Sequence, residues 1–236
     1  MPDVKINAHD GGSFAAYIAL PEKTPAPGLL LIQYICGVNK VMRALADGFA
    51  KQGYLVAVPD LFWRQEPGIQ IIQDPANPSK EEIQKSLALN EGFQDGPAVE
   101  DLDATLKFVR EHEACNGRAG ALGYCLGGRM SYLMAAYTDV DCAVSYYGVN
   151  LENTLGLADK IGTPLLMHIA GNDALVPPPA REAITAALSP KANVTVHVHE
   201  GVNHAFALPN GPNWNADAAN VANDESYAFL KKHLQN

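Results

Sequence analysis

The chain has 236 residues, 47% of them hydrophobic and 18% charged, with a formal net charge of -9 at pH 7. That acidic balance argues against nucleic acid or an anionic membrane surface as partner, since both require a basic face. No apolar run approaches the ~20 residues of a membrane-spanning helix.

The N-terminal segment Met1-Pro2-Asp3-Val4-Lys5 has neither the basic region nor the apolar core of a secretory signal. Cys36, Cys115, Cys125 and Cys142 lack metal-type spacing, so the expectation is a cytoplasmic protein with reduced thiols and no metal.

Residues 4–7 and 14–20 pattern as a hairpin turning at Asp10-Gly11-Gly12. After the proline-rich segment 21–27, the apolar run 28–33 reads as a strand buried on both faces. It opens into Tyr34-Ile35-Cys36-Gly37-Val38-Asn39, and an amphipathic helix over 40–52 follows, ended by Gly53. A second buried strand covers 54–58, then a long loop covers 61–78. Helices are predicted over 79–94 and from Pro97 to 112, the proline suiting a first helical turn. Strand 119–124, helix 128–138, strands 141–147 and 164–170, helix 179–188, strand 194–199 and helix 215–234 complete the chain. This alternation predicts one α/β domain over 1–236, a mostly parallel central sheet with helices on both faces.

The stretch Ala121-Leu122-Gly123-Tyr124-Cys125-Leu126-Gly127-Gly128 reads as a strand breaking sharply into a helix. Glycines on either side of Cys125 permit a tight turn that lifts its side chain above the sheet edge, at the positive end of the next helix. Helix N-termini favour thiolates over thiols. A buried cysteine packing a strand–helix unit is the competing reading.

In open α/β sheets reactive groups gather beyond the carboxyl ends of the strands. Asp173 stands there after strand 164–170, in Gly171-Asn172-Asp173, and His204 after strand 194–199. With Cys125 they supply nucleophile, acid and base in hydrolase order. His204 would take the thiol proton and later protonate the leaving group, while Asp173 holds the imidazole. Taken singly, Asp173 could serve an Asx turn and His204 could be a loop histidine. His168, inside a buried strand, reads as structural. His197 and His199 fall on the polar side of their strand and read as solvated. The helix-start amide of Leu126 is one oxyanion donor, and the amide of Ile35, after strand 28–33, is the leading candidate for the other.

These motifs resemble the dienelactone hydrolase family of α/β-hydrolases. The resemblance rests on Gly37-Val38-Asn39 with Met42-Arg43, Gly53-Tyr54, Pro59-Asp60-Leu61, Gly117 with Gly123-Tyr124-Cys125-Leu126-Gly127-Gly128, Tyr146-Tyr147-Gly148-Val149, Gly171-Asn172-Asp173 with Val176-Pro177, and His204-Ala205-Phe206. It spans nearly the whole chain and implies the α/β-hydrolase fold, a Cys125, Asp173, His204 triad, oxyanion amides at Ile35 and Leu126, and hydrolysis of a small ester, lactone or thioester without metal or cofactor.

The departures from the family pattern are specific. Tyr34 replaces a glutamate that receives the thiol proton in dienelactone-cleaving members. Ile83 and Leu208 replace two arginines that hold the substrate carboxylate. Leu87 and Asn90 replace an aromatic pair, and Ala205 replaces a serine. Without that clamp the pocket is expected to lose ~1.5–3 kcal/mol of preference for an anionic lactone. Arg64, on the long loop, or Arg129 could compensate from another direction. Tyr34, Cys36, Trp63, Leu87, Phe206 and Leu208 are the remaining candidate pocket residues, though Trp63 and Phe206 suit a core equally well.

The expected assembly is a monomer or small homo-oligomer. Two other functions stay open: a non-catalytic ligand-binding protein, which Tyr34 favours, and a redox sensor pairing Cys36 with Cys125, which requires Cα atoms within ~7 Å.

Overall fold

A continuous apolar strand must be shielded on both faces, and the order of the chain supplies a helix after nearly every such strand. In the computed structural model, which describes residues 3–235, the chain divides into two compact units, 1–120 and 121–236. Met1 and Pro2, part of the N-terminal segment discussed above, and Asn236 lie outside the described residues.

The first unit begins with β1 (Val4–Asn7) and β2 (Ser13–Ala19), an antiparallel hairpin. Strand β3 (Ala26–Ile32) is buried at every position. Helix α1 (Lys40–Lys51) follows, capped by the Asn39 side chain, which accepts from the amides of Val41 and Met42. Strand β4 (Leu55–Pro59) pairs parallel with β3 and antiparallel with β2.

The loop 61–78 leads to α2 (Lys80–Glu91), which opens on a reciprocal capping box. The Ser79 hydroxyl accepts from the Glu82 amide at 3.1 Å, and the Glu82 carboxylate accepts from the Ser79 amide at 2.9 Å. Helix α3 (Asp95–Glu111) crosses β3 at Gly28, where a Cβ would collide with the Val109 side chain.

Strand β5 (Cys115–Tyr124) runs from the first unit into the second and starts four residues earlier than its apolar pattern, because backbone pairing needs no buried side chains. The second unit continues with α4 (Leu126–Tyr137), β6 (Ala143–Tyr146), β7 (Leu165–Ala170), α5 (Pro178–Leu188), β8 (Val194–His199) and α6 (Ala216–Leu234). Strands β5 to β8 pair in parallel, each with the next. The sheet order is β1-β2-β4-β3-β5-β6-β7-β8, the mostly parallel sheet that the alternation predicts and the α/β-hydrolase arrangement that the resemblance implies.

A 3₁₀ run over Leu151–Lys160, which starts from Asn150 in the left-handed region at φ 59°, was not among the expected elements. No helix among the described residues is long and apolar enough to cross a membrane.

Candidate active site

Cys125 sits where β5 must stop and α4 begin. Its amide donates to the Tyr146 carbonyl at 3.0 Å, so the residue is still tied to β6 while its carbonyl already accepts from Arg129 at 3.1 Å, inside the helix. Meeting both demands forces Cys125 to φ 57° and ψ -114°, a conformation that costs a non-glycine residue ~1–3 kcal/mol.

The flanking glycines are required by contact. A Cβ on Gly123 would overlap the Gly127 backbone, with the Gly127 Cα at 2.8 Å, and one on Gly128 would lie 2.5 Å from the Tyr146 carbonyl oxygen. Strand and helix can therefore approach closely enough to raise the thiol, which is 9% exposed, at the start of α4. Leu126 is the first helical residue, so its amide is among those with no acceptor inside the helix.

The loops bearing Asp173 and His204 are stitched together by backbone hydrogen bonds. The Gly171 amide donates to the His199 carbonyl at 2.8 Å and the Asn172 amide to the Val202 carbonyl at 2.9 Å. Asp173, 3% exposed, divides its oxygens. Oδ1 accepts from the Leu175 amide at 2.8 Å, which is an Asx turn, and Oδ2 lies 2.7 Å from His204 Nδ1. Turn former and histidine partner are thus the same side chain.

Burial alone would push His204 down and is the largest single influence on it. The hydrogen bonds to Asp173 and Cys125, with the charges of both partners, outweigh burial and raise it to about 10. Its buried Nε2 has no aligned hydrogen-bond partner. The thiol is therefore close enough to act on the ring without forming an aligned bond to it. The Tyr147 ring stands 5.1 Å from the His204 ring and 5.6 Å from that of Phe206. The second unit thus brings Cys125, Leu126, Asp173, His204 and Phe206 to one strand-end region, with Leu208 buried nearby in sequence.

In the first unit, the buried Asn39 organises the loop that carries Tyr34, Ile35 and Cys36. Its Nδ2 donates to the Tyr34 hydroxyl at 2.8 Å and to the carbonyls of Ile71 and Ile72 at 2.8 and 3.0 Å. Its place just before a helix was the available signal for the cap, but nothing local announced the longer-range bonds. Cys36 Sγ lies 3.6 Å from the Ser86 hydroxyl, and all four cysteines are free thiols.

Trp63 packs against the cluster of Ile6, Ala8, Phe14 and Ala16, and its indole N–H donates to Asp101 at 2.8 Å. Arg64 stacks on Trp63 and pairs with both Asp10 and the buried Asp101. It borders a cavity of about 210 Å³ that also involves Phe93 and Pro97, yet two carboxylates already compensate its charge. Asp101, an acid on the apolar side of α3, had no sequence signal. Leu87 and Ile83 are 54% and 41% exposed on α2.

His197 and His199 are not solvated as their alternation suggested. Both are half-buried, because α6 covers that face of β8. His197 Nδ1 lies 2.6 Å from Glu225, and His199 Nε2 lies 3.0 Å from Nδ1 of His168. Burial first, then the neighbouring His199 and His197, holds His168 well below its ordinary value, so it is neutral. His168, His199 and Glu225 present three ligand-type atoms within 4.8 Å of one another.

The model of the dienelactone hydrolase family matches residues 14–234. A relative in Azospirillum brasilense, provisionally named carboxymethylenebutenolidase, is 45% identical over 99% of this chain and 100% of its own. The carboxymethylenebutenolidase of Pseudomonas putida is 37% identical over 96% of this chain and 94% of its own. A Klebsiella pneumoniae crystal structure, provisionally named a dienelactone hydrolase, superposes with a TM-score of 0.83 at 24% identity, covering 98% of each chain.

Proposed function

The chain belongs to the dienelactone hydrolase family of ester and lactone hydrolases, and from that premise we propose a cysteine-dependent mechanism over a single domain, residues 1–236, in the cytoplasm. The carrying observation is a thiol on a strained strand–helix elbow beside a histidine whose far nitrogen is held 2.7 Å from a buried carboxylate.

The raised value of His204 makes the imidazole a ready acceptor for the thiol proton, so the nucleophile of this mechanism is the thiolate of a thiolate–imidazolium pair. The Cys125 sulfur attacks the substrate carbonyl, whose oxygen becomes an oxyanion stabilised by the amides of Leu126 and Ile35. One such donor is worth ~10²–10³ in rate. The intermediate collapses as His204 gives its proton to the departing alcohol oxygen, leaving a thioester on Cys125. Neutral His204 then takes a proton from water, the hydroxide adds to the thioester carbonyl, and collapse returns the acid and the thiolate. Asp173 keeps Nδ1 protonated throughout, so Nε2 always faces the reaction.

The substrate we infer is a small ester, lactone or thioester less anionic than the relatives' name implies. Leu208 and Ile83 carry no charge, and Arg64, paired with Asp10 and Asp101, is not available to hold a carboxylate. Tyr147 and Phe206, both fully buried, pack behind His204 and add no cation to the site.

Hydrolysis of p-nitrophenyl acetate by Cys125→Ala tests the mechanism. Turnover is expected to fall at least 10³-fold, and unchanged turnover would overturn it. A matched pair of neutral and carboxylate-bearing lactones tests the substrate class, a preference for the anionic one being the adverse result.

A further inference from the structure

Beneath α6, three elements of the second unit deliver side chains to one point. His168 comes from β7, His199 from β8 and Glu225 from α6. His168 Nδ1 lies 3.0 Å from His199 Nε2 and 3.7 Å from Glu225 Oε2. Ligands ~2.0–2.1 Å from a tetrahedral ion stand roughly 3.3 Å apart, so these separations straddle what such an ion requires.

The surrounding bonds orient the rings for this purpose. The Tyr146 hydroxyl lies 2.9 Å from the Ala222 carbonyl and 3.0 Å from Asn223 Oδ1, both acceptors, so its single proton points to them. Its oxygen therefore accepts from the Ser226 hydroxyl at 2.8 Å, and Ser226 in turn accepts from His168 Nε2 at 3.0 Å. The opposite proton order would set lone pairs against lone pairs at Ala222 and Asn223. His168 is consequently the Nε2–H tautomer, with the Nδ1 lone pair directed at the cluster. A second-shell donor bond from the far nitrogen is the usual companion of a metal-bound imidazole. His197 Nδ1, 2.6 Å away, holds Glu225 at Oε2, the same oxygen that faces the cluster and that keeps a second lone pair for a ligand.

We propose that His168 Nδ1, His199 Nε2 and Glu225 Oε2 form a binding site for a divalent transition-metal ion of the zinc class, with one coordination position left for water. Two imidazoles and a carboxylate suit zinc or its first-row neighbours and disfavour magnesium or calcium. The proton that His199 Nε2 donates to His168 Nδ1 gives way to the ion, and His199 shifts to the tautomer that carries that proton on Nδ1. Chain order gave no hint of this site, since its three ligands lie on separate elements rather than in a spaced pair.

The site has a consequence for the catalytic loops. The chain runs from His168 through the end of β7 to Asp173, and from His199, the last residue of β8, to His204. An ion joining His168 to His199 fixes the two strands from which both loops emerge, and α6 over them.

Cobalt(II) titrated into chelator-stripped Cys125→Ala protein tests this, the substitution removing the thiolate as a rival ligand. We expect one equivalent bound, with the intense visible bands of four-coordinate cobalt and a rise in melting temperature. Glu225→Gln and His199→Gln are each expected to weaken binding at least tenfold. Glu225 is 34% exposed, so its variant is expected to keep the fold, which far-UV circular dichroism checks. Absence of stoichiometric binding, or binding unchanged in Glu225→Gln, would overturn the proposal.

Discussion

Replacing Asp173 by asparagine changes one atom and leaves shape almost untouched, so it isolates the role of the carboxylate. In the native loop both oxygens are engaged, Oδ1 by the Leu175 amide at 2.8 Å and Oδ2 by His204 Nδ1 at 2.7 Å. Asparagine has one oxygen, and the Leu175 amide can only donate. If the oxygen stays with Leu175, the amide NH₂ faces His204, which must then accept at Nδ1 and carry its proton on Nε2. The ring can no longer take the thiol proton. If the amide turns over, His204 is served but two donors meet at Leu175, at a cost of about 1–3 kcal/mol.

To this is added the lost charge-assisted bond to the imidazolium, about 1.5–3 kcal/mol at a buried site. The total of about 2.5–6 kcal/mol corresponds to roughly 10²–10⁴ in kcat/KM, at 1.36 kcal/mol per tenfold. Steady-state hydrolysis of p-nitrophenyl acetate reads this directly, and iodoacetamide labelling of Cys125 reports separately on the thiolate. Circular dichroism shows whether the fold is intact. A kcat/KM within threefold of the native value would refute the reasoning, because the geometry permits no compensating partner for His204 at Oδ2.

The remaining predictions concern the elbow and pH. Gly123→Ala places a Cβ into the Gly127 backbone, which cannot yield as a side chain would, so a loss of about 3 kcal/mol is expected. Calorimetry should show melting lowered by roughly 6–12 °C at this chain length. His204 is raised from 6.5 to about 10, so its contribution to stability is complete below pH 6.5 and is lost as pH rises through about 10. The alkaline limb of kcat/KM is accordingly expected near pH 10 for the native protein. In Asp173→Asn it is expected to move toward neutrality, because the aspartate bond is one cause of the raised value. A limb that does not move would contradict that cause.

The exposed positions of α2 and the pairing of Arg64 alter how the family resemblance should be used. Resemblance carries over motifs position by position, but whether a cation is free depends on residues remote in sequence. Asp10 and Asp101 lie on either side of Arg64 in the chain and meet it only after folding. His197 and His199 illustrate the same limit in a strand. A period of two assigns them to one face, but cannot say whether water or a helix covers that face. Here α6 does, and it turns two apparently solvated histidines into members of a half-buried network anchored on the buried His168.

The sequence by itself determined the alternation of strands and helices, the elbow at Cys125 and the order of Asp173 and His204, because each depends on local rules. Strand ends, glycines beside a forced turn and helix starts are set by residues within a few positions of one another. The tertiary structure alone decided the φ of 57° at Cys125, the double duty of Asp173, the neutralisation of Arg64 and the meeting of His168, His199 and Glu225. Those outcomes depend on packing between elements far apart in the chain, where one helix laid across a sheet face fixes which polar groups lose water and which groups they must then find.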